Sequence, residues 1–311
     1  MSSTLKAGFY KLLILLTLSP NPAFARDCIG LVTGSGDNFW KEVYQGAKKA
    51  GDEFNYRIHY RGPSTEAGHE AQGIILEAFS TLGCVGLLLA PNHPDRIEQV
   101  EAIRNKNIVT MFIDRGLPNL KDIPVVATDN YAAGRFAAKN MVPLLPPNAQ
   151  NIAVFRLQKD VVTTTAREQG FIDEITKHGL QVVIDAYGGT NVGDVKYTVY
   201  KALKNSPVAI HGIFTPNETT TIGAVEGTAL LYLPTSPILI GFDANDYIKK
   251  AIKENKLTGT VVQKPHDMGY IGVALIHNFL KSGSPPKSVV TGLEFLSKNM
   301  ESVKSANGEA H

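Results

Sequence analysis

From residue 28 onward the chain alternates short apolar runs with amphipathic segments. The run "CIGLVTG" is followed by "FWKEVYQGAKKAGDEF", which places Phe39, Val43, Ala47, Ala50 and Phe54 on one helical face, the stripe a helix needs to cover a sheet. The strand "YRIHYRG" follows, and Ser64 or Thr65 can cap a helix carrying Ile74, Ile75, Ala78 and Phe79. Then comes "CVGLLLAP", and after "PNHP" a helix with Ile97, Val100 and Ile103 leads into "IVTMFID". This βαβαβαβ order predicts a parallel sheet covered on both faces.

The theme restarts at "NIAVFRL" and runs through "LQVVIDAY", "IHGIFTPN", "ILIGFDAND" and "LTGTVVQ". A second α/β lobe is the economical reading, with the junction near "VVATDN". The predicted fold is therefore two similar doubly wound parallel-sheet lobes. Two such lobes joined by crossings of the chain enclose a cleft, a preferred home for small ligands.

At 311 residues the chain is long enough for two domains, and 43% hydrophobic content is ordinary for a globular protein. The amino terminus stands apart. Lys6 and Lys11 precede the apolar run "LLILLTL", and "AFA" at 23–25 offers the small residues a signal peptidase reads. The run is far shorter than the ~20 residues a membrane span needs. We expect a secretory leader over 1–25, cut after Ala25, and a periplasmic mature chain. That chain is formally neutral, with 29 basic against 29 acidic residues. Neutrality argues against a nucleic-acid partner or an anionic membrane surface. Export makes a disulfide possible. Cys28 and Cys84 open the first and third predicted strands, which are neighbours in a 2-1-3 order. A Cys28–Cys84 bridge is the expectation, two buried thiols the alternative.

The residues that follow the strands are mostly polar. "MFIDRG" sets Asp114 beside Arg115; neighbouring side chains in a strand point to opposite faces, so a pair sharing one task belongs just past the strand end. Elsewhere these positions hold "GSGDNFW", Asp129-Asn130, "TTTAREQGF" with Arg167, "TPNETT" with Asn217, "GFDAND" with Asp243, and Gln263. Sugars explain such a mixture. A hydroxyl donates to Asp while accepting from Arg or Asn, and a planar guanidinium engages two adjacent oxygens. The C–H faces of a sugar ring want flat partners, which Phe39, Trp40 and Tyr44 could supply.

Other chemistries find less support. "GSG" at 34–36 lacks the third glycine of a dinucleotide fingerprint, and no Walker lysine-serine pair, HExxH or GxSxG is present. No metal or cofactor is expected. An enzyme acting on sugars is the alternative from a different class. Sugar-responsive repressors share such lobes but carry a DNA-binding headpiece where this chain has a leader.

Taken together, "FWKEVYQGA", "LLLAPNHPD", "MFIDRG", "ATDNYAAGR", "AREQGF", "TPNETTTIGA", "IGFDAND" and "GTVVQKPHDMGYIGV" make the mature chain resemble the ribose-type periplasmic sugar-binding proteins of the type I fold. The resemblance implies two lobes closing on a monosaccharide and three chain crossings, placed near Asp129, Gln263 and Thr291. The lobes are then residues 26–128 with 264–290, and 129–263 with 291–311. Carried over by motif, Phe39 and Trp40 would stack on the ligand. Asp114 and Arg115 would hold hydroxyls from the first lobe and Arg167, Asn217 and Asp243 from the second, with Asn130 and Gln263 completing the shell. Three departures matter: Asp37 and Ala90 stand where ribose binders often have asparagine, and "YGGTNVGD" lacks the usual stacking aromatic. Asp114 and Asp243 offset Arg115 and Arg167, which suits a neutral sugar or polyol. If Asp37 also faces the ligand, the balance turns negative and favours a polyol or an amino-bearing sugar over an acid or phosphate. The implied partner of a monomeric binding protein is an inner-membrane ABC permease, with a membrane sensor kinase or chemoreceptor as the alternative.

Overall fold

The computed structural model describes residues 26–304 apart from 66, 160, 233–235 and 299. The predicted leader and its cut after Ala25 lie outside the described residues. The expected alternation of strands and helices is present, folded into two sheets.

The first sheet has the order β11-β5-β4-β3-β1-β2. Its members are β1 (Cys28–Val32), β2 (Arg57–Arg61), β3 (Gly86–Leu89), β4 (Val109–Ile113), β5 (Val125–Thr128) and β11 (Val289–Thr291). Every pairing in it is parallel. Such strands are buried on both faces, and β3 shows how. Leu87 and Leu89 pack beneath α2 (His69–Phe79) and α3 (Ile97–Arg104) with Leu76, Phe79 and Val100. Leu88 between them points the other way, into a core with Val43 and Ala47 of α1 (Asn38–Phe54) and Ile276 of α9 (Pro265–Ser282).

The second sheet has the order β13-β12-β10-β9-β8-β6-β7. Five strands are parallel: β6 (Asn151–Arg156), β7 (Gln181–Tyr187), β8 (Gly212–Phe214), β9 (Ile238–Phe242) and β10 (Gly259–Val262). One face is covered by α4 (Asn130–Met141) and α5 (Val162–Lys177), the other by α6 (Val192–Lys204), α7 (Glu218–Ala229) and α8 (Asp246–Lys253). The sequence pattern gave no sign of β12 (Glu294–Ser297) and β13 (Met300–Lys304), an antiparallel pair that extends the edge beside β10. The chain passes between the sheets after β5, after β10 and after β11.

Two local expectations are corrected. The helix after β2 starts at His69 with Gly68 as its cap residue and no side-chain cap, so neither Ser64 nor Thr65 caps it. The buried stripe of α1 begins at Trp40 and takes in Val43, Gly46, Ala47 and Ala50, leaving Phe39 and Phe54 only partly buried.

Cys28 and Cys84 are bridged, their Cα atoms 4.5 Å apart across the neighbouring β1 and β3. The bridge closes a sequence separation of 56 residues. Cross-linking a loop of that length constrains the unfolded chain by roughly 4 kcal/mol. The doubly substituted Cys28→Ser, Cys84→Ser protein is expected to unfold at correspondingly lower urea, and the unreduced wild type, once unfolded, to show no titratable thiol.

Candidate functional site

The carboxyl ends of both sheets face a cavity of about 120 Å³. Its construction repeats in the two lobes. Asp114 directly follows β4 and Asp243 directly follows β9, and both have a φ of 65°. In each case the backbone N–H still pairs with the adjacent strand, Asp114 donating to the Val126 carbonyl at 2.9 Å and Asp243 to that of Val261 at 2.8 Å. The sheet thus carries the chain to the aspartate before a left-handed turn ends it, a conformation Asp tolerates better than most residues. Both aspartates are buried and line the cavity.

In the first lobe the Arg115 Nε lies 3.1 Å from Asp114 Oδ2, and its guanidinium is 5.9 Å from the Trp40 ring. Trp40 is 2% exposed and meets Phe39 edge to face, with both rings lining the cavity. Tyr44 is elsewhere, stacked on Tyr60. Asp37 caps α1 by accepting from Trp40 N, also accepts from Ser35 Oγ at 2.9 Å, and is part of the lining.

In the second lobe Arg167, on α5, is 3% exposed and lies 4.1 Å over the Phe242 ring. Its guanidinium donates to Asn130 Oδ1 at 2.8 Å, to the Pro216 carbonyl at 2.9 Å and to Gln263 Oε1 at 2.8 Å. Gln263 also accepts from Thr128 Oγ1 at 2.9 Å and donates to Asp243 Oδ1 at 2.7 Å. Asp243 Oδ2 accepts from the Glu218 backbone N–H at 3.1 Å. One network therefore runs from Thr128 at the end of β5, through Gln263 directly after β10, to the start of α7. Burial pushes the Asp243 carboxyl up, and Arg167 and then Gln263 oppose the shift.

Nine of the ten sequence-derived site residues line the cavity: Asp37, Phe39, Trp40, Asp114, Arg115, Arg167, Asn217, Asp243 and Gln263. Asn130 does not; it stands behind the wall and holds Arg167 through its Nε. Asn217 is occupied as the cap of α7, its Oδ1 accepting from Thr220 N and Thr220 Oγ1, which leaves the amide NH₂ as a donor. Ala90 is buried away from the cavity, its carbonyl accepting from Gln72 Nε2 at 2.8 Å. On the stretch without a stacking aromatic, Thr190 reaches the lining, and the apolar wall of that lobe is aliphatic, from Leu157 and Val161.

Sequence reasoning did not place Ser64, Thr65, Thr163, Thr164 or Glu218 at the cavity, which all five line. Burial, then Asp243 and Asp37, push the Glu218 carboxyl up to about 7. An acid in the first turn of a helix is ordinary, so nothing in "TPNETT" singled it out. Among the described residues no group of three or more His, Cys, Asp or Glu could hold a metal ion, and no helix is long and apolar enough to cross a membrane.

A family model described as a periplasmic binding protein domain matches residues 29–285. The chain belongs to that family. The ribose import binding protein of Haemophilus influenzae is 28% identical over 296 residues, covering 92% of this chain and 97% of that one. Among solved structures, the periplasmic component of an ABC-type sugar transport system from Hahella chejuensis is 33% identical with a TM-score of 0.82, covering 87% of this chain and 100% of that one. An ABC transporter solute-binding protein from Agrobacterium vitis with bound D-fucose is 27% identical with a TM-score of 0.81, covering 87% and 95%. The ribose-type resemblance read from the motifs therefore stands, and the cavity lies at the strand ends, where this periplasmic binding protein presents paired donors and acceptors from both lobes.

Proposed function

We propose that this periplasmic binding protein captures a small sugar or polyol by closing its lobes and delivers it to an inner-membrane ABC permease. The observation that carries the reading is the duplicated clamp: Asp114 with Arg115 from one lobe, and Asp243 with Arg167 and Gln263 from the other, around one cavity with Phe39 and Trp40 in its wall. Each clamp sets an acceptor beside a donor, as a hydroxyl requires. A ligand bonding both lobes favours the closed state by its differential affinity for it. The hinge is then the set of crossings near Asp129, Gln263 and Thr291, and the leader over 1–25 is removed on export to the periplasm. The import proteins among the relatives support delivery to a permease.

Trp40 is the only tryptophan in the sequence, so its emission reports directly on the cavity. Titrating the purified mature protein with pentoses, hexoses, amino sugars and inositols is expected to give a saturable change with one of them at micromolar concentration. Silence across the panel, with no thermal stabilisation, overturns the sugar reading. Deleting the partner permease is expected to abolish uptake of the same ligand, and unchanged uptake would argue against delivery.

A further inference from the structure

A second space adjoins the cavity between the lobes. It is a groove of about 520 Å³, against about 120 Å³ for the cavity, and Arg115 and Val161 belong to both linings. Its walls come from the two lobes and are largely apolar: Pro91, Pro94, Leu117 and Pro118 from the turns after β3 and β4, and Val161 and Val162 from the start of α5. Leu117 and Val161 are buried whereas Val162 is 64% exposed, so the groove leads from the cavity towards solvent. Its few polar side chains have unmet capacity. The Asn92 amide donates to the Gly68 carbonyl at 3.2 Å, which fixes its orientation, yet its Oδ1 is buried and accepts from nothing among the described residues. Nδ1 of His69, whose ring meets that of His93 at 4.7 Å, is likewise buried and without a partner. Buried polar atoms are normally paired, so these two call for a partner from outside the chain. The departure at Ala90 points the same way: the amide that ribose binders often carry there is absent, and the one two residues on, Asn92, lines the groove instead.

An apolar cavity of about 150 Å³ takes one benzene-sized ring. The space at the strand ends therefore has room for one ring and no large substituent, and the groove has room for a second. We infer that the ligand is a glycoside: its sugar ring lies in the cavity, and a flat, mainly apolar aglycone carrying an N–H or O–H donor lies in the groove, where Asn92 Oδ1 accepts from it. A second sugar ring fits less well, because its hydroxyls would lose water against proline, leucine and valine side chains. Closure of the lobes sandwiches the aglycone as it does the sugar, since each lobe supplies one wall. This rests on the reading of the cavity as a sugar site and narrows the ligand from free monosaccharides to aryl and heteroaryl glycosides.

The test uses matched probes in both anomers: glucose, galactose, xylose and ribose, their methyl glycosides, their phenyl and 4-aminophenyl glycosides, and disaccharides of the same sugars. Binding is read by calorimetry on the wild type and on Val162→Trp and Pro94→Trp, which fill the groove from either lobe at exposed positions. At least one phenyl or 4-aminophenyl glycoside is expected to bind about tenfold or more tighter than its methyl glycoside and its free sugar. Filling the groove is expected to cut that gain by at least about fivefold and to leave the methyl glycoside within about twofold of its wild-type affinity. Sugars that bind while no aryl glycoside exceeds its methyl counterpart overturn the inference and leave the sugar site intact. A gain that survives both substitutions, or a disaccharide that gains as much as the aryl glycoside, also overturns it. If no probe of any kind binds, the sugar reading falls and this inference with it.

Discussion

Arg167→Ala is expected to weaken ligand binding by at least about 2 kcal/mol, roughly 30-fold, and to lower the stability of the unliganded protein by about 3 kcal/mol. Both effects have one origin. The guanidinium is buried and joins Asn130 on α4, the Pro216 carbonyl before α7 and Gln263 after β10, so its loss opens three hydrogen bonds at once. It also removes the cation that holds down the carboxyl of Asp243, which burial already pushes up. Breaking a buried pair by deleting one member costs more than the pair contributes, because the remaining charge stays out of water. Arg167→Lys separates the two effects. It keeps a positive charge over Phe242 but cannot reproduce the planar fork, so stability should recover in part while affinity stays low. Calorimetric titration and urea unfolding of both variants check this, and wild-type affinity in Arg167→Ala would remove the second lobe from the site.

The same residue shows what the sequence made legible. Arg167 could be picked out because it sits in a helix that follows an apolar strand, and Asp114, Asp243 and Gln263 because an apolar run stops on each of them. Position relative to a strand end is a one-dimensional property, and parallel sheets turn it into proximity. The Cys28–Cys84 bridge was legible for the same reason, since strand order alone makes β1 and β3 neighbours. Glu218 was not legible, because its burial at the cavity and its place beside Asp243, from the end of another strand, are relations no local pattern encodes. Ser64 and Thr65 were misread as caps because helix-capping residues and cavity-lining hydroxyls are the same residue types. The place of Asn130 near a crossing was visible, but the bond its Oδ1 accepts from Arg167 Nε, between α4 and α5, was not. The strands β12 and β13 escaped because their sequences, EFLS and MESVK, mix polar with apolar residues and lack the apolar continuity of the parallel ones.

The close approach of α4 and α5 depends on two glycines, and Gly134→Ala is expected to disturb fold and site together. A Cβ on Gly134 would fall 1.8 Å from the Arg167 carbonyl oxygen and 2.8 Å from Phe171 N, and one on Gly170 would fall 2.1 Å from the Tyr131 carbonyl oxygen. These obstacles are helix backbone, which no rotamer change can move aside. Alanine in a helix interior is favoured over glycine by about 1 kcal/mol, but overpacking against a rigid neighbour costs about 1–3 kcal/mol and occasionally more. The contact here is severe enough that the clash wins, and we expect a net loss of about 2 kcal/mol. Because the atom struck belongs to Arg167 itself, α5 must retreat and carry the guanidinium away from Gln263, so affinity should fall along with stability. Gly179→Ala supplies the contrast: its φ is 74° and nothing lies within 4 Å of a Cβ there, so it should cost only the backbone strain, about 1 kcal/mol, and leave affinity unchanged. Urea midpoints and ligand titrations on the pair decide the matter. If Gly134→Ala binds like the wild type despite its destabilisation, the position of Arg167 does not depend on the close approach of these two helices.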